Sequence, residues 1–142
     1  MTINDNYCEK LLINKCIVED EIYYSIQYGQ VRPRKWTGTY SDWLNLECGN
    51  VFVKYEDARK ELNYRIAKAK LEALNEGYKF TPCELNYYLE INYNPTPYIK
   101  IISSTNKLPN MLYFKSREQA RRAIDELGED YLINKYFGGY KW

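Results

Sequence analysis

Histidine is absent from all 142 residues. That removes the side chain most often used as a general base or transition-metal ligand near neutral pH. A serine or cysteine nucleophile activated by an imidazole therefore has no partner within the chain. Cysteine is sparse: Cys8, Cys16, Cys48 and Cys83 stand apart, with no C-x-x-C pair. This spacing supports neither a zinc site nor a redox pair, and free thiols in a reducing compartment are the reading it favours. Glycine forms no phosphate-binding loop, because Gly138-Gly139 lies at the terminus with no helix after it. No stretch approaches the roughly twenty apolar residues of a membrane span, and Met1–Glu9 lacks the basic-then-apolar layout of a signal peptide. A charge excess is missing too: 20 Lys and Arg stand against 19 Asp and Glu, a net charge of +1. Duplex-DNA binders carry a basic excess and DNA mimics an acidic one, so neither class fits. The expectation is a cytoplasmic protein with no catalytic residues, no metal and no cofactor.

Aromatics are abundant, with 16 tyrosines, and hydrophobic residues make up 45%. A chain of this length and composition folds as one domain with a core of its own. Residues 1–20 form a polar lead-in around Leu11-Leu12-Ile13, with a short strand expected at Cys16–Val18. Tyr24, Ile26 and Tyr28 alternate on one face of a strand over Ile22–Tyr28. Gly29-Gln30 turns into a second strand near Val31–Thr37, which Pro33 confines to a sheet edge. A loop over Thr39–Leu46 and a short strand at Asn50–Val53 follow. Ala58, Leu62, Ile66, Ala69 and Ala73 then mark the buried stripe of a helix from Tyr55 to Glu76, closed by Gly77, and Leu71 and Leu74 widen it so that the helix is expected to be buried on more than one side.

The second half repeats this plan. Asn86–Tyr93 alternates, with Leu89, Ile91 and Tyr93 on one face. Asn94–Pro97 turns into Tyr98–Ser103, and Met111–Phe114 forms a third strand. Ser116-Arg117-Glu118-Gln119 matches a reciprocal capping box opening a helix. That helix buries Ala120, Ala123, Ile124 and Leu127 and ends at Gly128. A short helix over Glu129–Phe137 precedes the tail, 138–142. Tyr23–Tyr28 aligns with Tyr88–Tyr93, and Phe52–Arg59 aligns with Phe114–Arg121, sharing Phe, Glu, Ala and Arg. The fold class expected is α+β, from two diverged β-β-(β)-α repeats at 21–77 and 84–137. One antiparallel sheet with helices on one face is the preferred arrangement, and two lobes joined near Gly77–Pro82 the alternative.

The segment Gly49-Asn50-Val51-Phe52-Val53-Lys54-Tyr55-Glu56-Asp57-Ala58-Arg59 resembles a recurring segment of small phage and prophage proteins of Firmicutes, as does Tyr113–Ala120 with Ala123–Asp130. The likeness spans roughly residues 22–137. Its shared residues (Phe, cap, Ala, closing Gly) are structural. It implies a mobile-element origin and transfers no catalytic residue.

Three carboxylate groups, Glu19-Asp20-Glu21, Glu56-Asp57 and Asp125-Glu126, are candidates for Mg²⁺, but solvated surface is the stronger reading. The most unusual local composition is Arg32-Pro33-Arg34-Lys35-Trp36, near Tyr28, Tyr40 and Trp43. Arg, Trp and Tyr dominate protein-binding hot spots, and cations beside aromatic platforms also serve single-stranded nucleic acid. Arg32, Arg34, Lys35, Trp36, Tyr40 and Trp43 are therefore the candidate partner-binding residues. The expected function is a non-catalytic phage or mobile-element protein that binds and inhibits a host defence protein, for example a Cas effector. A single-stranded nucleic-acid-binding accessory protein is the alternative.

Overall fold

The computed structural model describes residues 20–138. The strand expected at Cys16–Val18 and the aromatic tail beyond Gly138 lie outside them. The chain is α+β, as its patterning predicts. Two hairpins stand in place of one continuous sheet: β1 (Ile22–Gln27) pairs with β2 (Gln30–Lys35), and β3 (Asn86–Asn92) pairs with β4 (Tyr98–Ser104), both antiparallel. The helices are α1 (Tyr40–Glu47), α2 (Tyr55–Leu74), α3 (Arg117–Leu127) and a turn α4 (Glu129–Tyr131) that runs on as a π-helix, Leu132–Phe137. The chain divides into two compact units between Leu62 and Asn63, inside α2. No helix among the described residues is long and apolar enough to cross a membrane.

In the first unit, Tyr23 and Ser25 are the buried face of β1, so the core lies behind the face opposite Tyr24 and Ile26. Tyr23 joins Trp36, Leu46 and Val51 in the core, with Trp43 packed against them. The strand expected at Asn50–Val53 contracts to one bridge: Tyr24 donates to the Phe52 carbonyl at 2.8 Å and accepts from its N–H at 2.9 Å. Asn50 covers the next position on that edge. Its side-chain amide accepts from Ile26 N at 2.8 Å and donates to Ile26 O at 3.0 Å, imitating a backbone peptide. Since Tyr24 bonds Phe52, the facing Tyr24–Pro33 pair is a non-hydrogen-bonded one, and Pro33 has no ladder donor to lose. β2 is the hairpin's outer strand, as Pro33 predicts.

The segment expected as a loop over Thr39–Leu46 is helix α1. Thr39 Oγ1 accepts from Asp42 N at 3.3 Å and Asp42 Oδ2 accepts from Thr39 N at 3.2 Å, a complete capping box. In α2 the buried positions are Ala58 and Leu62, then Ala67 and Leu71, whereas Ile66, Ala69 and Ala73 are exposed. The stripe changes phase within the helix: Leu71 is buried and Leu74 half-buried, as expected of a helix covered on more than one side, while Ile66, Ala69 and Ala73 leave the core.

In the second unit the core gathers Ala67 and Leu71 of α2, Leu89, Ile91, Ile99 and Ile101 of the hairpin, Phe114, and Ala120, Ala123 and Ile124 of α3. Tyr93, expected on the Leu89–Ile91 face, lies beyond β3 and is exposed. The third strand expected at Met111–Phe114 is again a single bridge, Tyr87 with Phe114, at 3.0 and 2.7 Å. Ser116 caps α3 by accepting from Gln119 N at 3.0 Å, but Gln119 Oε1 accepts from Lys115 N at 2.9 Å, one residue before the expected donor. Charged side chains cover the outer edge of β4: Glu129 accepts from Ile99 N at 2.8 Å, and Arg117 donates to Ile101 O at 3.1 Å.

Each hairpin is followed along the chain by a single bridge at a phenylalanine and then a helix. Phe52 and Phe114 each form the bridge that precedes a helix. The bridges match Tyr24 with Tyr87, however, two residues from the Leu89 that the sequence windows align with it.

Candidate functional site

The six residues singled out by composition do not share one surface. Cross-strand partners lie on one face of a hairpin, so Arg34, opposite Tyr23, and Arg32, opposite Ser25, take the core side of the β1–β2 hairpin. Arg32 is exposed there and Arg34 half-buried. Trp36 continues the same alternation into the core and is only 4% exposed. Its ring meets Tyr23 edge-on at 5.9 Å and Trp43 at 5.0 Å. A base could not stack on Trp36 without opening this core. Trp43 is half-buried beside it, Tyr40 is exposed at the start of α1, and Lys35 takes the other face, opposite Ile22. Lys35 Nζ lies 3.4 Å from Asp20 across open solvent.

Behind the basic strand runs a buried polar chain that the sequence reading missed. Tyr23 donates to Asp42 Oδ1 at 2.6 Å, and Asp42 Oδ2 accepts from the backbone N–H of Thr37 at 3.0 Å and of Thr39 at 3.2 Å. Asn45 donates to the Tyr23 oxygen at 3.3 Å, and Asn50 donates to Asn45 Oδ1 at 3.3 Å. Burial pushes the Asp42 carboxyl upward, but hydrogen bonds from Tyr23, Thr37 and Thr39 outweigh it and hold the group below its ordinary value. Burial and then the bond to Asp42 push the Tyr23 phenol up. Each carboxylate oxygen of Asp42 is occupied from within the fold, so this group locks α1 against β1 and has nothing left to offer a ligand. Its signal was the Thr39-x-x-Asp42 spacing.

The surface that remains is the other face of the same hairpin. Ile22, Tyr24 and Ile26 on β1 stand beside Lys35, Pro33 and Val31 on β2. Tyr24 meets Tyr55, the first residue of α2, edge-on at 5.7 Å. Ile22 is 53% exposed, Tyr55 47%, and Tyr28 at the hairpin tip 93%. The result is an open aliphatic and aromatic sheet face with one cation, Lys35, at its end. Of the other candidate groups, Cys48 and Cys83 are free and exposed, and no three His, Cys, Asp or Glu side chains converge among the described residues. The chain matches no protein-family model, no curated protein and no solved structure.

Proposed function

We propose that this chain is a non-catalytic binding protein of a phage or other mobile element. It holds a host defence protein, a Cas effector being the class of target, through the open face of the β1–β2 hairpin. The observation that carries the reading is the apolar face itself. Ile22, exposed, and Tyr24, Ile26 and Val31, half-buried, share one face of a hairpin backed by a core, and Tyr55 packs on Tyr24, where isolated surface aliphatics would need no explanation. Tyrosine gives large amphipathic contact at low entropic cost, and a well-packed aromatic centre inside a polar rim is the anatomy of a binding hot spot. Lys35 at one end and the Tyr28 hydroxyl at the hairpin tip supply that rim. The likeness to Firmicute phage proteins supports the mobile-element setting, and the matching bridges at Phe52 and Phe114 support a reading of the units as diverged copies.

The test is capture of tagged protein on purified Cas effectors, with and without nuclease, comparing wild type with Ile22→Asp. A nuclease-resistant complex lost in the variant supports the reading. Retention that disappears with nuclease would transfer the function to single-stranded nucleic acid. Binding unaffected by Ile22→Asp would place the interface elsewhere.

A further inference from the structure

We propose that a cleft in the second unit binds a mononucleotide, independently of the hairpin and of any protein partner. The cleft has a volume of about 570 Å³ and opens between the last turns of α2, the segment 75–80 and the segment 107–113. That volume falls within the roughly 300–1,000 Å³ of small-molecule sites. Lys68, Lys79 and Lys107 line it against a single carboxylate, Glu72. Glu72 lies 3.9 Å from Lys68, one helical turn away, so its charge is directed at the lysine already on the helix. Lys79 and Lys107, both exposed, make no ion pair among the described residues. They come from two different segments and leave net positive charge at the mouth.

The interior supplies what an inorganic anion would not need. Phe80, Met111 and Leu112 are half-buried in the lining. Phe80 packs on Tyr113 at 5.1 Å, and Tyr113 packs edge-on to Tyr88 at 6.1 Å. Two hydrogen bonds fix Tyr113: its hydroxyl accepts from Leu108 N at 2.7 Å, and its carbonyl accepts from Asn75 Nδ2 at 2.8 Å. Asn75 Oδ1 in turn accepts from Gly77 N at 3.0 Å. The wall is thus held in place before a ligand arrives, which reduces the ordering cost of binding. A flat ring against Phe80 and Met111, with a phosphate reaching Lys79 and Lys107, uses both halves of the cleft. Aromatic faces take any base and ammonium groups act as point charges toward phosphate.

The experiment is titration of the full chain with AMP, adenosine and inorganic phosphate, followed by calorimetry and backbone-amide NMR shifts. Expected is AMP binding with shifts centred on Lys79, Phe80 and Met111, and adenosine and phosphate each at least about tenfold weaker. The double variant Lys79→Gln/Lys107→Gln weakens AMP by about tenfold or more, while Lys54→Gln leaves it unchanged. Phosphate binding as tightly as AMP, shifts centred outside the cleft, or no AMP binding at millimolar concentration would each overturn the proposal.

Discussion

At the scale of single residues, the first unit depends on one buried carboxylate. Asp42 is 1% exposed, and three neighbours donate to it. Replacing Tyr23 with Phe removes one donor and leaves Oδ1 unsatisfied inside the fold. The expected loss is about 1–3 kcal/mol by urea denaturation, with the ring packing on Trp36 retained. The same group sets a pH dependence. Its folded value lies below the ordinary 3.8, so its contribution is present above that pH and lost as the pH falls through the depressed folded value. Thermal melts taken downward from pH 5 should show this acid loss in the wild type, and Asp42→Asn should flatten it. Tyr23 works in the opposite sense. Its folded value is raised above 10.0, so its stabilisation holds below that pH and fades at higher pH.

Trp36 shows what residue-level reading can and cannot recover. Its neighbours Arg34 and Lys35 suggest a basic, exposed segment, and composition alone groups the three together. Period-two alternation separates them, placing Trp36 with Arg34 and against Lys35. Nothing in β2 itself says which face is inward. That depends on Tyr23 and Ser25 of the partner strand, and Tyr23 is buried because Asp42 satisfies its hydroxyl. Trp36→Ala should therefore destabilise the fold by about 3–5 kcal/mol, measured by denaturation in the absence of any partner. An unchanged midpoint would return Trp36 to the surface.

At the scale of elements, the hairpins and the longer helices were legible because their signals are local: alternation, a turn, a cap, a closing glycine. The same kind of signal stood in Thr39-Tyr40-Ser41-Asp42, yet the eight residues of α1 are too few for an apolar period to reinforce it. Thr39→Ala should cost about 1 kcal/mol of stability, and the same change at Ser116 should act similarly on α3. Beyond Leu62 the stripe of α2 was legible at Leu71 but not at Ala67, for a different reason. Ala67 stands nine positions after Ala58, a half-integral number of turns at about 3.6 residues each, so no continuous stripe joins them. The strand expected after the first hairpin shrinks to a bridge because a side chain completes that edge, and on the second hairpin side chains cover the opposite edge, that of β4. Asn50 bonds both backbone groups of Ile26, and Glu129 and Arg117 bond β4. Pro33 blunts the remaining edge of the first hairpin. Pro33→Val should leave monomer stability within about 0.5 kcal/mol while increasing concentration-dependent association seen by light scattering.

At the scale of the whole molecule, the α+β class followed from patterning, whereas separate hairpins stood there only as the alternative to one continuous sheet. Pairing between distant strands depends on which edges are already occupied, and the bonds that occupy them come from side chains far away in sequence. The surface proposed for binding was half legible for the same reason. The β1–β2 hairpin stood out by composition, but Arg32 and Arg34 lie on its core-side face, and the open apolar face emerged only once Tyr23 and Ser25 were seen to be buried. The function proposed for this face is capture of a host defence protein. The most direct measurement is phage plating on a CRISPR-immune Firmicute host expressing the chain, wild type against Ile22→Asp, with circular dichroism confirming that the variant folds. Restored plating with the wild type, reduced by about tenfold or more in the folded variant, is the result the account predicts. Equal plating with both proteins, or no restoration by the wild type in hosts carrying different effector classes, would contradict it.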